Sequence, residues 1–239
     1  MHLHTLGSDG IGTPEQIAEN ALKAGLDGFV ITDHHHTYTA ESLEVARVAR
    51  SHGLMVFHGC EYSTSMGHLL IYGVDVEHFG FGYYPDTQYV INAVNAAGGR
   101  CIPAHPYKGY KRFYGDDIQC LSGLAGIEVA NGQCTFQNPR ANAKAKVTAL
   151  AMEVPGVGGS DAHNPRHIGL TYTRFNRPVQ TYLDFIEALD AQDFTAMISR
   201  SRVDAELARR RKSARQRRAC EAVNVNYDAL PPWAKVNWQ

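Results

Sequence analysis

His, Asp and Glu residues recur at the ends of short apolar segments throughout this chain, and that recurrence narrows the folds open to it. His2 and His4 form an H-x-H pair at the start, with Asp9 in the polar loop that follows. Residues 28–32 (GFVIT) run into Asp33 and His34, and residues 54–59 (LMVFHG) run into Glu61. His68 opens HLLIY, residues 100–104 (RCIPA) end at His105, and residues 156–159 (GVGG) lead into Asp161 and His163. Side chains alternate along an extended strand, so His2 and His4 share a face. The ends of separate strands thus deliver imidazoles and carboxylates to one place.

The segments between these strands read as amphipathic helices. Thr13 is an N-cap, Pro14 takes the first helical position and Gln16 completes a capping box. Ile17, Ala18, Ala21 and Leu22 then form an apolar stripe that ends at Gly25. Further helices are expected over 40–51, around Val90, Ile91 and Val94, over 141–152 and over 178–189, and further strands over 126–130 and 170–175. Short apolar strands alternating with helices indicate βα units and a mainly parallel sheet. About seven such units suggest a barrel, in which functional residues collect at the C-terminal ends of strands. The expected division is a body over residues 1–199 and a basic extension over 200–239.

Composition is that of an ordinary globular domain, with 44% hydrophobic and 20% charged residues. The net charge of −1 hides an asymmetry: residues 199–218 carry nine Lys/Arg against two Asp/Glu, leaving the remainder at −8. Cys60, Cys101, Cys120, Cys134 and Cys220 are scattered and never spaced C-x-x-C, which suits free thiols in a reducing compartment, with cytoplasm as the expectation. Neither a secretory signal before the first motif nor a run of about 18 apolar residues is present, so no membrane association is expected. Gly98-Gly99 and Gly158-Gly159 match neither phosphate-loop nor dinucleotide spacing and read as turn and close-packing positions.

Taken singly, each signal has an ordinary explanation: H-x-H as a surface pair, His34-His35-His36 as a polar loop, Asp161 as a helix cap. Taken together they imply metal, because crowding carboxylates and imidazoles into one mouth is costly unless cations neutralise them. The ordered motifs HLHTLGSDG, TDHH, GCEYS, GHLL, AHP and GSDAH resemble the PHP (polymerase and histidinol phosphatase) family, over roughly residues 1–189 and most closely its stand-alone phosphoesterases. The resemblance implies a distorted, TIM-like (β/α)7 barrel with up to three metals. It carries nine ligand positions onto His2, His4, Asp9, His34, Glu61, His68, His105, Asp161 and His163. His2, His4, Glu61 and Asp161 would hold one metal; Glu61 would bridge to a second held by His68 and His105; Asp9, His34 and His163 would hold a third. Two to three manganese, iron or zinc ions are all compatible with mixed N/O ligation. Relatives carry a first strand ahead of H-x-H, whereas here the motif begins at residue 2, so strand one is shortened or starts upstream.

The expected chemistry is phosphomonoester hydrolysis on a small metabolite, a nucleotide or histidinol phosphate-like compound, by a hydroxide bridging paired metals. His35 is a candidate proton donor to the leaving group, and Asp33 a carboxylate that orients a neighbouring imidazole. Lys108, Arg140 and Arg166 are candidate contacts to substrate phosphate. Tyr107, Tyr110, Phe113 and Tyr114, interleaved with Lys108, Lys111 and Arg112, make a loop that either stacks a planar group or packs on itself. The basic run Arg209-Arg210-Arg211-Lys212 is either a nucleic-acid contact or a solvated helical tail. The nearest rival function is an exonuclease or oligonucleotide phosphodiesterase. An amidohydrolase-type enzyme, with H-x-H in a barrel, and a non-catalytic metal-binding module are the more distant alternatives.

Overall fold

The structure, a computed structural model, describes residues 1–109, 113–222 and 226–229. Tyr110, Lys111 and Arg112 of the aromatic and basic loop lie outside the described residues. Two compact units are present, Met1–Ser199 and Arg200–Gln239.

The first unit is a mixed α/β fold. Its helices are α1 (Pro14–Lys23), α2 (Ala40–Ser51), α3 (Thr87–Ala96), α4 (Gly132–Gln137), α5 (Pro139–Ala151) and α6 (Tyr182–Asp190). Its strands are β1 (Gly28–Ile31), β2 (Met55–Ser63), β3 (His68–Tyr72), β4 (Arg100–Pro103), β5 (Ile127–Asn131), β6 (Gly156–Gly159), β7 (Thr171–Phe175) and β8 (Phe194–Ile198). Strands β1 to β4 form one sheet in that order, β5 pairs with β6, and β7 pairs with β8. Thr13 caps α1 through the expected capping box, and Ile17, Ala18 and Ala21 are buried beneath that helix.

Pairing is parallel for β1–β2 and β5–β6, as expected from the alternating pattern. Strand β3 instead runs antiparallel to both β2 and β4. The cause lies in the connection: residues 64–67 are too few for a crossover, and so short a link can join only antiparallel strands. Strands β7 and β8 are also antiparallel, and β8 and α4 were not expected from the sequence.

The N-terminal residues take an extended path between the ends of β1 and β6. Thr32 donates its backbone N–H to Leu3 O at 2.8 Å, while His4 N–H reaches Ala162 O at 3.2 Å and Asp161 N–H reaches His2 O at 3.0 Å. Leu3 turns into the apolar cluster containing Ile17, Phe29, Ile31 and Ile168. Alternation then turns His2 and His4 the other way, toward one another. Burying a leucine side chain contributes roughly 1.5–3 kcal/mol, so the residue between the two imidazoles anchors them. No helix among the described residues is long and apolar enough to cross a membrane.

The second unit contains α7 (Arg200–Ala222) and a short turn at Tyr227–Ala229. Within it Glu206 accepts from Arg209 and Arg210, and Arg217 donates to Asp228.

Candidate metal centre

All nine of the ligand positions inferred from sequence converge. Glu61, buried at the point where β2 passes β1, is the hub. Its Oε1 lies 2.9 Å from His68 Nδ1 and 2.9 Å from His105 Nε2. Its Oε2 faces His4 Nε2 at 3.1 Å, His2 Nε2 at 3.2 Å and His34 Nδ1 at 3.4 Å. One carboxylate thus serves a different set of imidazoles with each oxygen. Asp161 lies alongside, its Oδ1 3.5 Å from His4 Nε2 and 3.4 Å from His163 Nδ1. Asp9 closes the outer edge, with Oδ2 3.1 Å from His163 Nε2 and 3.6 Å from His34 Nε2.

Three groups of side chains are spaced to hold a cation: His2, His4, Glu61 and Asp161; His4, Asp9, His34 and His163; and His34, Glu61 and His68. His105 joins the side of Glu61 that faces His68. The first group is fully buried and Asp9 is exposed, so the centre grades from a closed floor to an open rim.

Two observations test whether these residues fit metal ions. Asp161 Oδ1 is buried without a hydrogen-bond partner, a state that costs about 1–3 kcal/mol for an ordinary polar group and more for a charged one. His2 Nε2 and His4 Nε2 also confront each other at 3.2 Å beside both carboxylates. A cation among these atoms would satisfy the orphaned oxygen and accept both nitrogen lone pairs. The mixed N/O donor set suits first-row transition metals.

Titration among these side chains follows the same crowding. Burial opposes charge on His4, yet the neighbouring carboxylates of Asp161 and Glu61 raise it to about 9. His2 is raised likewise, against burial, by Glu61, Glu128 and Asp161. Glu61 and Asp161 are held well below the usual carboxylate range, because the surrounding imidazoles outweigh the burial that would raise them. Burial dominates at His34 and lowers it to about 4.

Backbone strain gathers here as well. Six described non-glycine residues have positive φ, and three belong to this region: His35 (63°), His105 (29°) and Asp161 (50°). Such conformations cost of order 1–3 kcal/mol each and persist where surrounding contacts enforce them.

A supporting layer of polar residues escaped the sequence reading. Glu128 on β5 is fully buried; its Oε1 lies 3.0 Å from His2 Nδ1, and its Oε2 accepts from His105 N–H at 2.8 Å and Asn131 Nδ2 at 2.9 Å. Asn131 also donates to Asp161 Oδ2 at 3.1 Å. Gly159 permits this packing: a Cβ there would meet Glu128 Oε1 at 2.3 Å and His2 Cβ at 2.5 Å. A carboxylate inside the apolar segment Ile127–Asn131 was the available signal.

The other candidates fall in varied places. Asp33 makes its hydrogen bonds not to an imidazole but to Thr5 N–H at 2.7 Å, Thr5 Oγ1 at 2.5 Å and Ser8 Oγ at 2.7 Å. It anchors the loop between His4 and Asp9, because Thr5 and Ser8 present donors that reach it first. His35 is exposed, and its ring meets Tyr62 edge-on at 4.8 Å. Lys108 reaches the centre, with Nζ 2.8 Å from Asp161 Oδ2. Arg140, in the first turn of α5, and Arg166, in the turn after His163, are exposed and make no ion pair among the described residues. Tyr107 donates toward Asp116 or Thr148, and Tyr114 donates to His68 O at 2.9 Å, so both are packed into the structure. Phe113 sits 5.7 Å from the His105 ring.

Fold and site together define an α/β protein built around a His/Asp/Glu cluster able to hold metal. The model of the PHP domain matches residues 1–115 and that of the PHP-associated region matches residues 139–194. The chain belongs to the PHP family. The first match contains seven of the nine converging positions, and Asp161 and His163 come from the second. No curated protein sequence matches the chain. Among solved structures it is similar to PsfC from Pseudomonas syringae, at 16% identity, over 87% of this chain and 93% of that one, with a TM-score of 0.65. A two-domain protein from Bacteroides vulgatus containing a predicted PHP-like metal-dependent phosphoesterase is 20% identical over 82% of this chain and 63% of its own, with a TM-score of 0.62. An amidohydrolase from Chromobacterium violaceum is 19% identical over 86% of this chain and 98% of its own, with a TM-score of 0.57. Likeness at these identities concerns the fold.

Proposed function

We propose that this chain is a metal-dependent phosphoesterase that hydrolyses phosphomonoesters of a small metabolite, such as a nucleotide or a histidinol phosphate-like compound. The observation that supports it best is the division of Glu61 between two sets of imidazoles beside the orphaned Oδ1 of Asp161. The hydrogen bonds that join Leu3 to Thr32, His2 to Asp161 and Ala125 to Cys101 favour a distorted (β/α)7 barrel whose mouth holds the centre. The three ligand groups favour three ions, of manganese, iron or zinc. Divalent ions held by these residues would supply Lewis acidity toward a phosphoryl oxygen and would activate water near neutral pH.

The chain's own residues do the rest. Glu128 holds His2 with its Nδ1 proton inward, leaving Nε2 free to ligate. Lys108 places an ammonium at the edge of the centre, where it binds a phosphate oxygen and sets the ester's orientation. Its pairing with Asp161 raises its pKa, although burial works against this, so the charge is retained. His35, at the open rim, delivers a proton to the leaving oxygen.

Phosphate release by manganese-loaded protein across nucleotides, sugar phosphates and histidinol phosphate tests this reading, with Asp161→Asn as control. Release from one class, lost in the control, is expected. No release from any monoester by protein with confirmed bound metal overturns it. The basic helix α7 favours a second reading, an oligonucleotide phosphodiesterase, which predicts cleavage of short oligonucleotides instead.

A further inference from the structure

The part of the molecule that the proposed chemistry leaves unused is the charge on α7. Residues 209–218 hold seven Lys/Arg and no carboxylate. Part of that charge is neutralised locally: Arg209 and Arg210 pair with Glu206, and Arg217 pairs with Asp228. Arg211, Lys212, Arg215 and Arg218 are exposed and have no carboxylate partner among the described residues. At about 100° per residue Arg211, Arg215 and Arg218 fall within a narrow stripe, and Lys212 flanks it. The buried Glu206 and Gln216 lie well around the helix from that stripe. The stripe is about 10 Å long at 1.5 Å per residue.

We propose that this face of α7 binds the phosphate backbone of nucleic acid, independently of the metal centre. Four unneutralised cations in fixed helical register match a polyanion that carries one charge per roughly 1.7 Å of duplex axis. Three of the four are guanidiniums, which bind phosphate bidentately. An anionic membrane is a poorer match. A helix lying on a bilayer needs a broad apolar face, and over residues 209–218 the one apolar side chain is Ala214. The contacts involve backbone charge alone, so binding is independent of base sequence.

Counterion release sets the expected magnitude. Four phosphate contacts give a slope of about −3.6 in log K against log salt for duplex DNA, or roughly a 150-fold loss in affinity between 50 and 200 mM salt. The test is fluorescence anisotropy of the full-length, manganese-loaded protein with a labelled 20-base-pair duplex carrying phosphorothioate linkages, so that hydrolysis does not intervene. The comparison is the quadruple variant R211Q/K212Q/R215Q/R218Q, whose substitutions are all at exposed positions. Its helix content by circular dichroism and its phosphate release are expected to equal those of the parent, while its affinity falls at least tenfold and its salt slope approaches zero. A parent slope near zero, or a variant that binds the duplex as the parent does, overturns the proposal. Phosphatidylserine vesicles serve as a parallel arm: vesicle binding lost in the variant, without duplex binding by the parent, also overturns it and assigns the face to membranes.

Discussion

Replacing Glu128 by Gln tests whether the buried carboxylate behind His2 sets the character of the metal centre. Glu128 faces three donors: His2 Nδ1 at its Oε1, and His105 N–H and Asn131 Nδ2 at its Oε2. A glutamine has one oxygen for the two places. If that oxygen stays at the Oε2 position, the amide NH2 points at His2 Nδ1, which must then accept. The ring proton moves to Nε2, the nitrogen that faces Glu61 at 3.2 Å, and that atom can no longer ligate. If the oxygen turns toward His2, the buried His105 N–H loses its acceptor. Either outcome leaves one buried group mispaired, at about 1–3 kcal/mol. At roughly 1.4 kcal/mol per tenfold, the first outcome weakens metal binding about 5- to 150-fold. That range brackets the 10- to 100-fold typical of residues that orient metal ligands. Calorimetric titration of manganese into the metal-free variant measures the affinity, and a melt of the same sample measures stability. Affinity within twofold of the parent, together with the parent's melting temperature, would refute the reasoning.

Gly159→Ala pushes a Cβ into both Glu128 and His2, so activity should drop at least tenfold in the phosphate-release assay, whereas the control Asp116→Asn, at an exposed position, should change it little. His35→Gln should lower kcat severalfold for alkyl phosphates and leave p-nitrophenyl phosphate nearly unchanged, since a good leaving group needs no proton; equal losses on both substrates would remove His35 as the donor. His4 in the metal-free protein has its pKa raised from 6.5 to about 9, so it contributes stability that is complete below pH 6.5 and lost as pH rises through about 9. The melting temperature of chelator-treated protein should therefore fall between pH 6.5 and 9. Manganese uptake at pH 7.5 should release protons, seen as a binding enthalpy that varies with the buffer's ionisation enthalpy.

The sequence made the ligands legible but not their support, and the difference has a physical origin. His2, His4, Glu61, Asp161 and the others stand out because imidazoles and carboxylates at strand ends are chemically unusual and keep a recognisable order. Glu128 meets His2 across 126 positions of chain, and Gly159 matters through the Cβ it lacks. A carboxylate in an apolar strand marks Glu128 as unusual, but no local pattern names the partner of either residue. Asp33 shows the reverse failure. Its place beside His34 suggested a partner for an imidazole, but Thr5 and Ser8 arrive from the first loop and take its oxygens. Strand and helix positions other than α4 and β8 followed from apolar periodicity, while strand direction depended on loop length, which is why β3 departed from the parallel expectation. The same logic separates the two arginines placed in the site by sequence from the lysine. Lys108 follows His105 by three residues, on a loop whose start is fixed by the hydrogen bond from His105 N–H to Glu128, so its reach toward Asp161 is determined by the ligand strand itself. Arg166 likewise follows a ligand, His163, by three residues, but the turn Pro165–His167, capped by Asn164, leaves its side chain exposed, and Arg140 stands on the exposed first turn of α5. Proximity to a motif therefore did not by itself place a side chain in the centre; the turn that followed the ligand decided it.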